Sequence, residues 1–168
     1  KKDKEENEIT DEEALNLCCC LYLKIADNTN LVPEAAEKLW GGAGSTPAVT
    51  LGGIDRDGND AVNDLSYLFL KTTEIMRLRD PSVNARYNYK VNTEEYRQRV
   101  TEVIINTKAI PAFHNDITVI ETLENQGVST EDAREYAIVG CVELASTGKD
   151  YVASGSIMFN LYSALELS

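Results

Sequence analysis

Short apolar segments alternate with longer amphipathic ones along this chain, and that alternation restricts the folds open to it. Strands are predicted over 47–51, 81–87 and 111–116, because these segments are short, mainly apolar and bounded by turn residues. Helices are predicted between them, over 60–78 and from Thr93 onward. Continuous apolar runs suit strands that are buried on both faces. The pattern therefore favours an α/β architecture with a parallel sheet.

Cap and turn signals predict the remaining elements. Thr10 and Glu13 form a capping box, which predicts a helix that ends near Asp27. A short helix over 33–40 is followed by the glycine-rich run 41–45, which lacks the lysine of a phosphate-binding loop and is interpreted as a connector. Toward the end of the sequence, the predictions are helices over 117–125, 129–136 and 159–167, and an apolar strand over 137–144 that leads into a loop.

Charge and hydropathy exclude two kinds of partner. The net charge is −12, from 16 basic and 28 acidic residues, and an acidic surface repels phosphate backbones. No apolar run approaches the roughly 20 residues that cross a bilayer, and no basic segment precedes an apolar one at the start. We therefore expect a cytoplasmic chain that binds neither nucleic acid nor membrane.

Neither the cysteines nor the acidic turn predicts a metal site. Residues 18–20 are three consecutive cysteines, and side chains about 100° apart on a helix cannot converge on one ion. We expect them to be small apolar fillers of a buried helix, without disulfides. The turn at 55–59 resembles the first half of a calcium loop, but Ser66 stands where the loop needs glutamate. A tight turn is the better interpretation.

Two residues near the end of the predicted strand 137–144 are candidates for chemistry. Taken alone, Cys141 would be a buried structural thiol, as most cysteines are. It lies, however, at the end of a strand, where ligand sites of α/β sheets gather, and Glu143 follows two residues later. In an extended loop that spacing places both side chains on one side. His114, the single histidine, is interpreted as structural, because no acidic or nucleophilic partner is close in sequence.

The segment 136–143, which contains Gly140-Cys141-Val142-Glu143, resembles the finger loop of glycyl radical enzymes in the lyase and dehydratase branch of the pyruvate formate-lyase superfamily. The four-residue motif alone is a weak signal, but other blocks resemble the same family in the same order. Together they cover nearly the whole chain past residue 10. These blocks are 50–53, 63–68, 79–87, 111–116 and 159–167.

The resemblance implies a fold and a domain organisation. Residues 1–168 would form part of the pyruvate formate-lyase-like domain, as half of a ten-stranded α/β barrel with the finger loop near its C-terminal end. The family's C-terminal glycyl-radical loop has the form Arg-Val-x-Gly-Tyr, which does not occur in this sequence. The chain also stops at Ser168 inside a helical pattern. We therefore expect a fragment without the glycyl-radical domain and without activity of its own.

The resemblance also implies a mechanism and partners. A glycyl radical in the missing C-terminal part would take the hydrogen of Cys141, and the resulting thiyl radical would abstract hydrogen from the substrate. Glu143 would act as general base or acid on a neighbouring hydroxyl. The full-length enzyme would cleave a C–O, C–N or C–C bond of a small polar substrate. It would bind no cofactor directly, need a radical S-adenosylmethionine activating enzyme and form a homodimer.

Alternatives remain at two levels. A formate C-acetyltransferase like pyruvate formate-lyase is disfavoured, because that enzyme has adjacent cysteines and no glutamate at this position. A non-catalytic α/β binding module, with Cys141 merely buried, is the other alternative. Gly155 replaces the aspartate of diol dehydratases, and Met158 replaces the tyrosine of choline lyase, while Ser154 could mimic that enzyme's threonine. The substrate therefore stays open among diols, choline, hydroxyproline, isethionate and arylacetates.

Overall fold

The structure is a computed structural model. It describes residues 8–28, 45–150 and 160–167, together with positions 3, 6, 33, 34, 37 and 38. Its regular elements are, in chain order, α1 (Asp11–Ala26), β1 (Ala48–Gly52), α2 (Asp64–Met76), β2 (Ser82–Tyr87), α3 (Glu94–Thr107), β3 (Ala112–Asn115), α4 (Asp116–Asn125), α5 (Thr130–Arg134), β4 (Tyr136–Val139), β5 (Glu143–Ser146) and α6 (Leu161–Glu166).

The helices begin at capping residues. The capping box predicted for α1 is confirmed: Thr10 Oγ1 accepts a hydrogen bond from the Glu13 N–H at 3.2 Å, and Glu13 Oε2 accepts one from the Thr10 N–H at 2.8 Å. The predicted start of α2 is wrong, because Asp60 pairs with Ile54 in a β-bridge and Asn63 caps the helix. The predicted helix over 33–40 lies largely outside the described residues. None of the helices in the described part is long and apolar enough to span a bilayer.

The three predicted strands form a parallel sheet in the order β1-β2-β3. Side chains of β2 alternate between its two faces. Val83 and Ala85 pack in an apolar cluster with α1, α2 and α3, while Ser82, Asn84 and Arg86 lie on the opposite face. The predicted α/β class is therefore confirmed, with one sheet face covered by helices and the other carrying polar side chains.

The helix-covered face holds the larger core. Tyr96 is fully buried there, and the backbone of Gly52 lies so close that a Cβ would overlap the tyrosine hydroxyl. Gly52 has φ +69°, a conformation that favours glycine. The buried members of this cluster are Tyr22, Leu51, Leu70, Val83, Ala85, Tyr96, Val100 and Val103.

The prediction of one strand over 137–144 is wrong. The chain turns at Gly140, which has φ +61°, and returns as β5, antiparallel to β4. Tyr136 pairs with Ser146 at the base of this hairpin, and Val139 pairs with Glu143 next to the turn. An apolar run on both sides of a single glycine resembles one strand in sequence, because hairpins are usually marked by more turn residues.

A buried ion pair joins the hairpin to the sheet. Arg86 binds Asp116 through two parallel hydrogen bonds, Nε to Oδ1 at 2.8 Å and Nη2 to Oδ2 at 2.9 Å, and the two side chains are 6% and 0% exposed. Arg86 also donates to the carbonyl oxygens of Arg134 at 2.8 Å and Tyr136 at 3.1 Å. The Tyr136 hydroxyl donates to Asp116 Oδ1 at 2.7 Å. One arginine thus connects β2, the start of α4 and the base of the hairpin.

The three consecutive cysteines do not share one environment. Cys18 is buried on α1, and burial raises the pKa of its thiol. Cys19 is half-buried and Cys20 is exposed. The prediction of buried fillers holds for Cys18 and is wrong for Cys20, because successive residues of a helix point about 100° apart and one face of α1 contacts the core.

Replacing Asp116 with asparagine should lower the free energy of unfolding by about 3–5 kcal/mol, since Arg86 would stay buried without its carboxylate. Denaturant titration measures the change. The control is Glu94→Gln, which removes the exposed ion pair with Arg97 on α3; the loss of stability should be much smaller than in Asp116→Asn, because solvent screens exposed ion pairs. Equal losses in the two variants would contradict the central role of the buried pair.

Candidate functional site

The tip of the hairpin presents the candidate cysteine. Residues 140–142 form the turn between β4 and β5, and Cys141 within it is exposed. The extended loop predicted from the sequence, with both side chains on one side, is wrong, because residues 140–142 form a turn. The turn nevertheless keeps Cys141 and Glu143 together, because Glu143 is the first residue of β5 and its side chain folds back over the turn.

The Glu143 carboxylate closes the turn. Its Oε2 accepts hydrogen bonds from the N–H of Cys141 at 2.9 Å and of Val142 at 3.0 Å. Bonds from the backbone N–H groups of Glu143, Val142 and Cys141 lower the pKa of the carboxyl group, so it is ionised at neutral pH. The bonds from Cys141 and Val142 both end on Oε2 and not on Oε1. The carboxylate is therefore suited to accept a proton rather than to donate one.

The position of the turn differs from the expectation that Cys141 lies at a carboxyl edge of the parallel sheet. β4 is not part of that sheet, and the Cys141 carbonyl oxygen lies 3.4 Å from Ser82 Oγ, at the amino end of β2. The hairpin thus runs along the polar face of the sheet, from Arg86 near one end of β2 to Ser82 at the other.

His114 lies on the same polar face as part of a hydrogen-bonded group. Its Nε2 is 2.9 Å from Asn84 Oδ1, and Asn84 Nδ2 donates to the Ser82 carbonyl oxygen at 3.1 Å. Burial lowers the pKa of His114, which favours the neutral ring at pH 7. Because Asn84 Oδ1 can only accept, Nε2 carries the proton in this arrangement. The partner is 30 residues away in sequence and could not be named from it.

Three residues that the sequence singled out cannot be placed relative to this site. Ser154, Gly155 and Met158 fall outside the described residues. The buried ion pair between Arg86 and Asp116 was not predicted from the sequence. The available signal was the presence of charged residues inside predicted strands that are otherwise mainly apolar, since buried charges are nearly always paired.

Comparisons with known proteins identify the fold and the family of the chain. A crystal structure of a glycyl radical enzyme from Archaeoglobus fulgidus matches with a TM-score of 0.79 at 34% identity, over 88% of this chain and 19% of that one. The fold is therefore the α/β fold of glycyl radical enzymes. A family model described as pyruvate formate lyase-like matches residues 1–168. The chain belongs to that family, and the resemblance noted in the sequence is confirmed.

Two curated relatives give the same result in sequence. The isethionate sulfite-lyase of Oleidesulfovibrio alaskensis is 35% identical over 168 residues, which is 99% of this chain and 20% of the relative. The (2S)-3-sulfopropanediol dehydratase of Klebsiella oxytoca is 36% identical over 150 residues, which is 89% of this chain and 18% of the relative. The chain therefore spans about a fifth of the length of these relatives.

The Glu143 carboxyl group should titrate below the ordinary glutamate value, because the turn's N–H groups favour its ionised form. A carboxyl whose pKa is depressed by folding stabilises the folded turn above its unfolded pKa, and that contribution is lost as the pH falls through the folded pKa. NMR titration of the Glu143 side-chain carboxyl carbon measures the pKa. A pKa at or above the ordinary glutamate value would contradict the observed capping.

Proposed function

We propose that this chain supplies the catalytic cysteine loop of a glycyl radical lyase or dehydratase. The observation that carries the proposal is the exposed Cys141 at the tip of a hairpin, on a turn whose backbone N–H groups bind the ionised Glu143 carboxylate. The relatives include a sulfite-lyase and a dehydratase, named for isethionate and 3-sulfopropanediol. The proposed substrate is accordingly a small polar molecule that carries a hydroxyl group next to a leaving group.

Cys141 would give a hydrogen atom to the glycyl radical, take one from the substrate and return it to the product radical. A glycyl radical elsewhere in the full-length protein would supply the hydrogen-atom acceptor that turns the thiol into a thiyl radical. The exposed position of Cys141 on a turn fits this, because the sulfur can be approached from outside the described chain. The thiyl radical then takes a hydrogen atom from a substrate carbon and re-forms the S–H bond. After the substrate has lost its leaving group, Cys141 returns the hydrogen atom to the product radical.

Glu143 would act as the base. Its lowered pKa keeps it ionised, and Oε1 is the oxygen that does not accept the hydrogen bonds from Cys141 and Val142. A hydroxyl group on the radical-bearing carbon becomes more acidic than in the parent alcohol, so a nearby carboxylate can accept its proton. The electron density released in this way helps the leaving group on the adjacent carbon to depart.

The remaining properties of the whole protein are part of the same proposal. The glycyl radical would lie in a C-terminal domain outside this chain, and a radical S-adenosylmethionine enzyme would generate it. The active protein would be a cytoplasmic homodimer.

Replacing Cys141 with serine in the full-length protein should abolish turnover, because the stronger O–H bond of serine cannot exchange hydrogen with a carbon radical. The test is anaerobic activation followed by a screen against isethionate, sulfopropanediol, diols, choline, hydroxyproline and arylacetates. Cys20→Ser is the matched control, since Cys20 is also exposed but lies on α1. Turnover that survives in Cys141→Ser, or is lost equally in the control, would overturn the assignment.

Glu143→Gln should keep the turn but lower kcat by about 10²–10⁴, the usual contribution of a general base. The amide oxygen of glutamine can still accept hydrogen bonds from the N–H groups of Cys141 and Val142, whereas its ability to take a proton is lost. Steady-state kinetics on the substrate found in the screen measure the effect. A kcat within a factor of two of wild type would show that the base is another group.

A further inference from the structure

The outer edge of β4 is bound by side chains rather than by another strand. β4 pairs with β5 along one edge, and its other edge faces the polar side of the parallel sheet. A strand edge inside a protein carries N–H and C=O groups that need partners. In this hairpin, side chains of β1 and β2 supply them.

These contacts follow the hairpin from its base to its tip. Two of them meet β4 itself, at Tyr136 and Ile138, as expected where alternate residues of a strand direct their backbone groups to the same edge. The other two meet Arg134, the last residue of α5, and Cys141 in the turn. The four contacts are Arg86 Nη2 to the Arg134 carbonyl oxygen at 2.8 Å, Arg86 Nη1 to the Tyr136 carbonyl oxygen at 3.1 Å, the Ile138 N–H to Thr50 Oγ1 at 3.0 Å, and Ser82 Oγ to the Cys141 carbonyl oxygen at 3.4 Å.

We propose that Thr50 is a positioning residue for Cys141, an inference that rests on the proposed function. Ile138 is 4% exposed, and its N–H points away from β5 to the threonine hydroxyl. Ile138 pairs with Leu144, the pair directly before the one that closes the turn, Val139 with Glu143. The Thr50 contact is therefore the last short hydrogen bond between the sheet and the hairpin before the cysteine, since the Ser82 contact is longer.

The position of Thr50 suits this role better than a purely structural one. Its strand neighbours Val49 and Leu51 pack with the helices, so the threonine side chain faces the hairpin and not the larger core. Arg86 holds the base of the hairpin, where it is also bound to Asp116. Thr50 holds the part of the hairpin nearer the tip, through the N–H of Ile138. A small displacement there moves the sulfur relative to the substrate carbon, and hydrogen transfer depends steeply on that distance.

The test uses the full-length protein and three variants. Thr50→Val keeps the shape of the side chain and removes the acceptor, and Thr50→Ser restores the acceptor. Thr101→Val is the matched control, because Thr101 lies on α3, on the far side of the sheet. The rate of amide hydrogen exchange at Ile138 and Cys141 measures how stably the hairpin is held. Steady-state kinetics after anaerobic activation report kcat and KM, and electron paramagnetic resonance reports the amount of radical.

Thr50→Val should speed exchange at Ile138 and Cys141 and lower kcat by about 10- to 100-fold, with KM and radical content within about twofold of wild type. Thr50→Ser should restore most of the lost kcat and slow the exchange again. Thr101→Val should change neither the exchange rates nor kcat. Unchanged exchange or kcat in Thr50→Val, or equal losses in Thr101→Val, would overturn the inference. If activated wild-type protein turned over no substrate, the proposed function would fail. The exchange data would then decide whether Thr50 holds the hairpin.

Discussion

The bidentate ion pair between Arg86 and Asp116 is the interaction on which the arrangement of this chain depends. It is almost completely excluded from solvent, and such a pair is stable only when its remaining hydrogen-bonding groups are also satisfied. The carbonyl oxygens of Arg134 and Tyr136 and the Tyr136 hydroxyl satisfy them. The requirement that these groups converge fixes the base of the hairpin against the sheet. Without that constraint, a two-stranded hairpin would be marginal by itself.

The polar side chains on this face of the sheet therefore have a structural role, because they hold the hairpin in place. Its side chains replace a neighbouring strand for β4, and this allows the hairpin to lie across the sheet instead of extending it. Ser82 and Asn84 continue the same polar row toward His114, which explains why strands with one apolar face carry hydroxyl, amide and guanidinium groups on the other. A sheet covered by helices on both faces would have been apolar on both sides.

Sequence patterns within a few residues predicted most of the helices and strands. Contacts between residues far apart in the sequence could not be predicted in this way. The capping box at Thr10 and the three strands follow from patterns within a few residues, so they were predicted correctly. The turn at Gly140 was missed because its left-handed conformation leaves no mark except one glycine among apolar residues. Cys141 and Glu143 were singled out through their motif, and their catalytic roles stay a prediction. The pairing of Arg86 with Asp116 depends on strand register, which becomes visible only in three dimensions.

The observed capping role of the Glu143 carboxylate and its proposed role as a base are thermodynamically linked. The N–H groups that close the turn are also the groups that make the carboxylate a weaker base. Reciprocity requires that a proton arriving on Glu143 loosens the turn, and that anything which opens the turn raises the proton affinity of Glu143. Under the proposed function, a substrate that opened the turn would therefore make Glu143 a stronger base.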